Sequence, residues 1–182
     1  MRLLASYRDE LPSLDEKAFL QKYPDPVLVF ASSFEAPTAP ASFYTTRIGD
    51  LDAMRMSRLR ALSESADVCV MPVVKAGRNP YIDRVFVGRS QTNDIVIRHR
   101  SVSKSHAYFE RRAGTEEAFG LVDASSRNGT TVEGKPLAPS TYTPLADTAS
   151  IAFGTCSIHY VVAGEFYRFL RSMAGMRRPA PR

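Results

Sequence analysis

The sequence predicts a mainly β chain. A sandwich of short strands over residues 67–163 follows an N-terminal α/β extension (1–66) and precedes a short C-terminal helix with a basic tail (164–182). Three observations carry this. Eight short β-rich runs recur between turn signals from Val68 onward. Cys156, Ile158, Tyr160 and Val162 alternate with Ser157 and His159, the period of a strand with one buried face. Helical spacing of apolar residues is confined to the two ends of the chain.

In the extension, Ser13 followed by Glu16 has the form of a capping box, which predicts a helix through Ala18, Phe19 and Leu20 that stops before Pro24. Val27–Phe30 is a brief apolar run and reads as a strand. Residues 35–42 read as a loop, and Asp50 stands where it can cap a second helix carrying Leu51, Met54, Leu59 and Leu62. None of this region carries a catalytic or ligand signature, so its apolar faces are expected to pack on the main domain or on a second copy. The strands are expected at Val68–Val74, Tyr81–Val87, Asp94–Arg98, His106–Arg111, Phe119–Asp123, Thr130–Val132, Ser150–Phe153 and Ser157–Val162. Glu133-Gly134 reads as a hairpin turn, with glycine supplying a positive φ. Phe166, Phe169, Leu170 and Met173 share one face of the last helix, and Gly175 and the prolines end it.

Composition narrows the function classes. The chain has 182 residues, 44% of them hydrophobic and 24% charged, which is globular in character. No window is apolar enough to cross a bilayer, and no secretory leader fits the first residues, so a cytoplasmic protein without membrane partners is the expectation. Cys69 and Cys156 sit in apolar β-like runs and read as small buried thiols. The net charge of +5 is uneven: residues 1–66 carry −1, 67–163 carry +2, and 164–182 carry +4. A basic excess held mostly in a tail is not the basic face of a nucleic-acid-binding domain. His99, His106, His159 and the two cysteines lack metal-ligand spacing, and no Gly-rich loop ends in Gly-Lys-Ser/Thr. Neither a metal, nor a cofactor, nor an enzyme activity is therefore expected. His106 reads as a structural histidine at a strand start.

Three short motifs fall in loops between the expected strands: Gly88-Arg89-Ser90, Ser103-Lys104-Ser105-His106, and Ser125-Ser126-Arg127-Asn128-Gly129-Thr130. Each alone is weak. In this order, with Asn93-Asp94-Ile95-Val96-Ile97, Val102, Leu121-Val122-Asp123, Val132, Gly134, Leu137, Leu145, Asp147, Ile151 and Gly154, the pattern resembles the forkhead-associated (FHA) domain family over about residues 68–162. Two departures are mild: Lys104 stands where arginine is more usual, and Ala146 where glycine is common.

The resemblance implies an eleven-stranded β-sandwich that recognises phosphothreonine in extended segments of other proteins, in Ser/Thr kinase signalling. It implies that Arg89 and Ser103 contact the phosphate, that Asn128 bonds the peptide backbone, and that Lys104 and Arg127 assist. Gly88, His106 and Gly129 would shape the loops. Elementary chemistry agrees with that assignment. A phosphoryl group near neutral pH carries close to two negative charges and three strong acceptors. The planar guanidinium fork of arginine suits it, a serine hydroxyl adds a donor, and asparagine offers both a donor and an acceptor to a peptide.

Two rival readings remain open. The same fold can serve as a phosphate-independent scaffold or oligomerisation protein, and the arginine tail can bind nucleic acid. A phosphorylated Thr38, Thr45 or Thr46 could occupy the domain's own site. A kinase or its substrate is the natural partner under the first reading.

Overall fold

Alternation along the last strand organises the core. In the computed structural model, Cys156, Ile158 and Tyr160 of β12 (Cys156–Val161) are buried on one face, while Ser157 is exposed and His159 half-buried on the other. The structure describes residues 1–32, 51–65, 67–111 and 119–174. The loop at 35–42, the cap at Asp50, the candidate threonines Thr38, Thr45 and Thr46, and the end of the basic tail lie outside them.

Twelve strands form two sheets among the described residues. The five-stranded sheet has β5 (Ile95–Val96) at one edge, then β4 (Arg84–Gly88), β6 (Ala107–Arg111), β7 (Phe119–Asp123) and β10 (Thr143–Pro144). The seven-stranded sheet runs from β1 (Arg2–Leu3) through β3 (Val68–Pro72) and β2 (Val27–Ala31) to β12. It continues through β11 (Thr148–Phe153) and β8 (Thr130–Val132) to β9 (Lys135–Pro136). Among the described residues, only β4 and β5 pair in parallel. Leu28, Phe30, Phe109, Leu121, Ile151, Phe153, Ile158 and Tyr160 fill the space between the sheets, with Phe109 stacked on Tyr160 at 5.9 Å. Both cysteines are free and buried there, and burial pushes both thiols above their ordinary pKa. The eleven strands from β2 to β12 make the sandwich; β1 adds one more at its edge.

The strand read at Val27–Phe30 is present, but it is not peripheral. It pairs antiparallel with β3 on one side and β12 on the other, and its first four residues are buried. Val27 and Val29 face away from Leu28 and Phe30, so β2 supplies both faces of its sheet. The sandwich therefore begins near Val27, inside the stretch read as an extension. Residues 32–67 lie between two neighbouring strands of one sheet.

Helices cover the outer face of that sheet. Leu4 and Tyr7 of α1 (Leu4–Glu10), Leu11, and Phe19 of α2 (Glu16–Lys22) pack with Val27, Val29, Val70 and Val161. Leu59 of α3 (Leu51–Ser65) joins them, as do Phe166, Phe169, Leu170 and Met173 of α4 (Ala163–Ala174). Phe19 and Leu59 from the expected helices of the extension, and the whole expected face of α4, are thus packed against the sheet. The capping expectation needs correcting: the α2 cap is Asp15, whose carboxylate accepts from Ala18 N–H at 2.7 Å, while Ser13 sits in the preceding 3-10 turn. Asp15 is two residues nearer the helix and carries a charge suited to the helix N-terminus. Glu10 binds this layer together. Its carboxylate accepts from Arg2, Lys22 and the Tyr23 hydroxyl, each at 2.6 Å. Those bonds hold its pKa at about 2.

The β8–β9 hairpin turns on Glu133 and Gly134, both at positive φ (50° and 75°), the conformation a two-residue hairpin loop prefers. Expected and observed strands otherwise agree within a few residues. The two-residue strands β9 and β10 were not foreseen, being too short to show a period. Among the described residues, no helix is long and apolar enough to cross a membrane.

Candidate functional site

Loops β4–β5, β5–β6 and β7–β8 and the β11–β12 turn meet at one end of the sandwich, and the backbone itself joins them. Arg89 N–H donates to Ser103 O at 2.8 Å, and Ser90 N–H to Lys104 O at 3.1 Å. Arg127 N–H donates to the Ser103 hydroxyl oxygen at 3.0 Å. The Asn128 amide donates through Nδ2 to Ser101 O at 2.7 Å. Five residues named from the sequence, Arg89, Ser103, Lys104, Arg127 and Asn128, are thereby gathered on one end, although they come from three loops.

What each side chain has left to offer follows from these bonds. Ser103 Oγ accepts from Arg127, so its own proton remains for a ligand. Asn128 spends one Nδ2 proton on Ser101 and keeps Oδ1 and its other proton. The side chains of Arg89, Lys104 and Arg127 are exposed and make no hydrogen bond or ion pair among the described residues. A cation-rich, donor-rich surface on a rigidly tied backbone can bind an anion carried on an extended chain.

Beneath the surface the support is polar and buried. His106 is fully buried; its Nδ1 accepts from Ser103 N–H at 2.9 Å and its Nε2 faces Gly129 O at 3.1 Å. The first bond requires an unprotonated Nδ1, so the neutral ring donates through Nε2. Burial pushes the His106 pKa below its ordinary value, and the Gly129 carbonyl and Asp123 only partly oppose this. His106 thus ties the β5–β6 loop to the β7–β8 loop. Gly129 sits at φ 74°, as the turn presenting Asn128 requires.

Gly88 is demanded by packing. A Cβ there would lie 2.4 Å from Lys104 O and 2.8 Å from Asn93 Nδ2. That amide donates to both Ser90 O (2.8 Å) and Lys104 O (2.6 Å), so it holds the Arg89 loop against the Ser103 loop. Asp123 does the same for the third loop, accepting from Ser126 N–H at 2.8 Å, Ser126 Oγ at 2.7 Å and Thr130 Oγ1 at 2.5 Å. Burial alone would raise its pKa; the donors from Thr130 and Ser126 outweigh burial and lower it. Ser101 positions Asn128 and is itself held by Thr155 N–H, which donates to its Oγ at 3.0 Å. Gly154 makes room for it, since a Cβ there would lie 2.5 Å from Ser101 O. Asn93, Asp123 and Gly154 belonged to the sequence pattern without an assigned role. Ser101 had no signal, because its contribution is a backbone carbonyl.

Residues 85–154 match the FHA domain. The loops carrying Arg89, Ser103 and Asn128 fall within that matched segment. Two solved FHA structures are among those similar to this chain. One is the FHA domain of the CT664 protein from Chlamydia trachomatis, at 18% identity and TM-score 0.46, covering 75% of this chain and 96% of that one. The other is the MEK1 FHA domain in complex with a HOP1 phosphothreonine peptide, at 23% identity and TM-score 0.42, covering 52% of this chain and 88% of that one. Among curated proteins, none matches this chain.

Proposed function

We propose that this chain binds phosphothreonine within an extended segment of a partner protein, and that it works by recruitment rather than by catalysis. One observation carries the reading. Ser103 is bonded to both flanking loops, through its carbonyl to Arg89 N–H and through its hydroxyl to Arg127 N–H, and its hydroxyl proton stays free between two loops whose arginine side chains are uncommitted among the described residues. The Arg89 guanidinium would take the phosphate, the Ser103 hydroxyl would add a bond, and Lys104 and Arg127 would add charge. Asn128 would hold the peptide backbone through the amide atoms that Ser101 leaves free. Gly88, His106 and Gly129 hold the loops in place. The FHA match over residues 85–154 supports an interaction module, and a phosphorylated partner would put the chain downstream of a Ser/Thr kinase.

Fluorescence anisotropy tests this with a phosphothreonine peptide library, its unphosphorylated copy and its phosphoserine copy. The expected ranking is phosphothreonine first, phosphoserine several-fold weaker for want of one methyl (about 1 kcal/mol), and the unphosphorylated copy without measurable binding. Equal affinity for the phosphorylated and unphosphorylated peptides would overturn the reading in favour of a phosphate-independent scaffold.

A further inference from the structure

Beside the phosphate loops lies a groove of about 850 Å³, open between the edge of the seven-stranded sheet and β5. Its floor is apolar, including Phe30, Met71 and Val96, and its rim is polar and basic, with Arg78, Gln91 and Arg98. Gln91 is two residues beyond Arg89 in the same loop, and Ile97, at the end of β5, donates its N–H to Gly88 O at 3.0 Å. The groove is therefore continuous with the Arg89 loop. Arg98 is exposed and has no ion pair among the described residues. Arg78 makes one long hydrogen bond, 3.5 Å, to Asn93 O.

The geometry points to this groove as a second subsite for the same phosphorylated partner, taking an apolar side chain next to an acidic residue. The inference rests on the phosphothreonine reading and adds a preference to it. The apolar floor removes a side chain of leucine size from water, and the basic rim answers a carboxylate beside it. An apolar residue flanked by basic residues meets like charge at Arg78 and Arg98. Charge thus separates partners that the phosphate alone would not.

The test uses the full chain and four phosphothreonine peptides. In each, a two-residue window holds Leu-Glu, Leu-Lys, Ala-Glu or Ala-Ala, and the window is moved along both sides of the phosphothreonine. At one window position Leu-Glu should bind about tenfold tighter than Ala-Ala, with Leu-Lys at or below Ala-Ala. Arg98→Glu and Met71→Asp should each erase that gain while leaving the Ala-Ala peptide unchanged; the paired variants guard against one that misfolds. No window position that distinguishes the four peptides would overturn the inference, as would a gain that survives both variants. A preference that appears only after residues 33–50 are replaced by a Gly/Ser linker would also overturn it, since the groove would then belong to the chain's own segment. Arg89→Ala separates the two ideas. Loss of all binding in that variant, with no window preference in the wild type, sinks only the subsite; binding unaffected by Arg89→Ala sinks the phosphate reading and the subsite with it.

Discussion

Charged side chains are treated in opposite ways in the helical layer and at the loop end. In the helical layer Arg2 and Lys22 both spend themselves on Glu10, and Arg168 pairs with Glu165. At the loop end Arg89, Lys104 and Arg127 make no such contact among the described residues, while buried groups below them are fully engaged. Asp123 takes three hydrogen bonds and Asn93 gives two. The helical layer is held by apolar packing with several charges closed on its surface, although Arg8, Lys17 and Arg171 stay unpaired among the described residues; the loop end is held by polar bonds with its cations left open. Open cations on a tightly bonded backbone indicate binding, because their order is maintained by neighbours and not by salt bridges that a ligand would have to break.

The largest effect should come from breaking the helical layer. Phe169→Ala removes a fully buried ring between α4 and the sheet and should cost about 3–5 kcal/mol in urea unfolding. Peptide affinity of the folded fraction should stay within a factor of two, because no loop-end bond involves α4. A parallel loss of affinity would show that the layer and the site are coupled.

The reverse experiment is Arg89→Ala. Its side chain holds nothing in place, so stability should move by no more than about 0.5 kcal/mol. Phosphothreonine-peptide affinity should fall about a hundredfold, roughly 2.7 kcal/mol. Arg89→Lys should recover only part of it, since an ammonium lacks the planar fork. Titration calorimetry beside an unfolding curve reads both numbers on one preparation. An affinity within threefold of wild type would remove Arg89 from the site.

Gly88→Ala should blur the division. Its new methyl meets a backbone oxygen, which cannot rotate away, so a cost of about 1–3 kcal/mol is expected. The same collision pushes the Ser103 loop off the Arg89 loop, so affinity should fall as well. Stability lost with affinity intact would mean that the two loops need not be in register to bind.

These contrasts also explain what the sequence could reveal. Strands such as Phe119–Asp123 and Thr130–Val132 were legible to the residue, because turn signals bound them and β-favouring residues fill them. The placement of Val27–Ala31 was not legible. Pairing partners of a five-residue run are set by long-range register, and here the partner β3 begins beyond a long intervening segment. At the candidate site, the exposed residues could be named from the sequence because the proposed phosphate contact calls for particular side-chain chemistry. The supports were partly hidden, since Ser101 O, Lys104 O and Gly129 O act through backbone atoms that any residue could supply.

The smallest predicted effect is also the one that isolates His106. Its folded pKa lies below the ordinary value of about 6.5 because the ring is buried. The unfolded chain therefore takes up this proton first as pH falls. The contribution is constant above about pH 6.5; below it, stability declines until the folded pKa is reached, then levels off. Protonation also sets a hydrogen on Nδ1 against Ser103 N–H, which releases the Ser103 loop. Binding alone cannot report this, because phosphothreonine loses its second charge near pH 6 as well. Unfolding without peptide separates the two. Wild type should hold level down to about pH 6.5 and then lose stability towards pH 5, whereas His106→Asn, less stable throughout, should lose it less steeply, keeping only the share of the buried His159, whose pKa is pushed down to about 4. Asp94 and Asp123 do not confuse the window. Their lowered pKa values place their own losses below about pH 4, in the same direction but on a separate limb. A His106→Asn curve parallel to wild type between pH 7.5 and 5 would show that the ring is not the group that titrates.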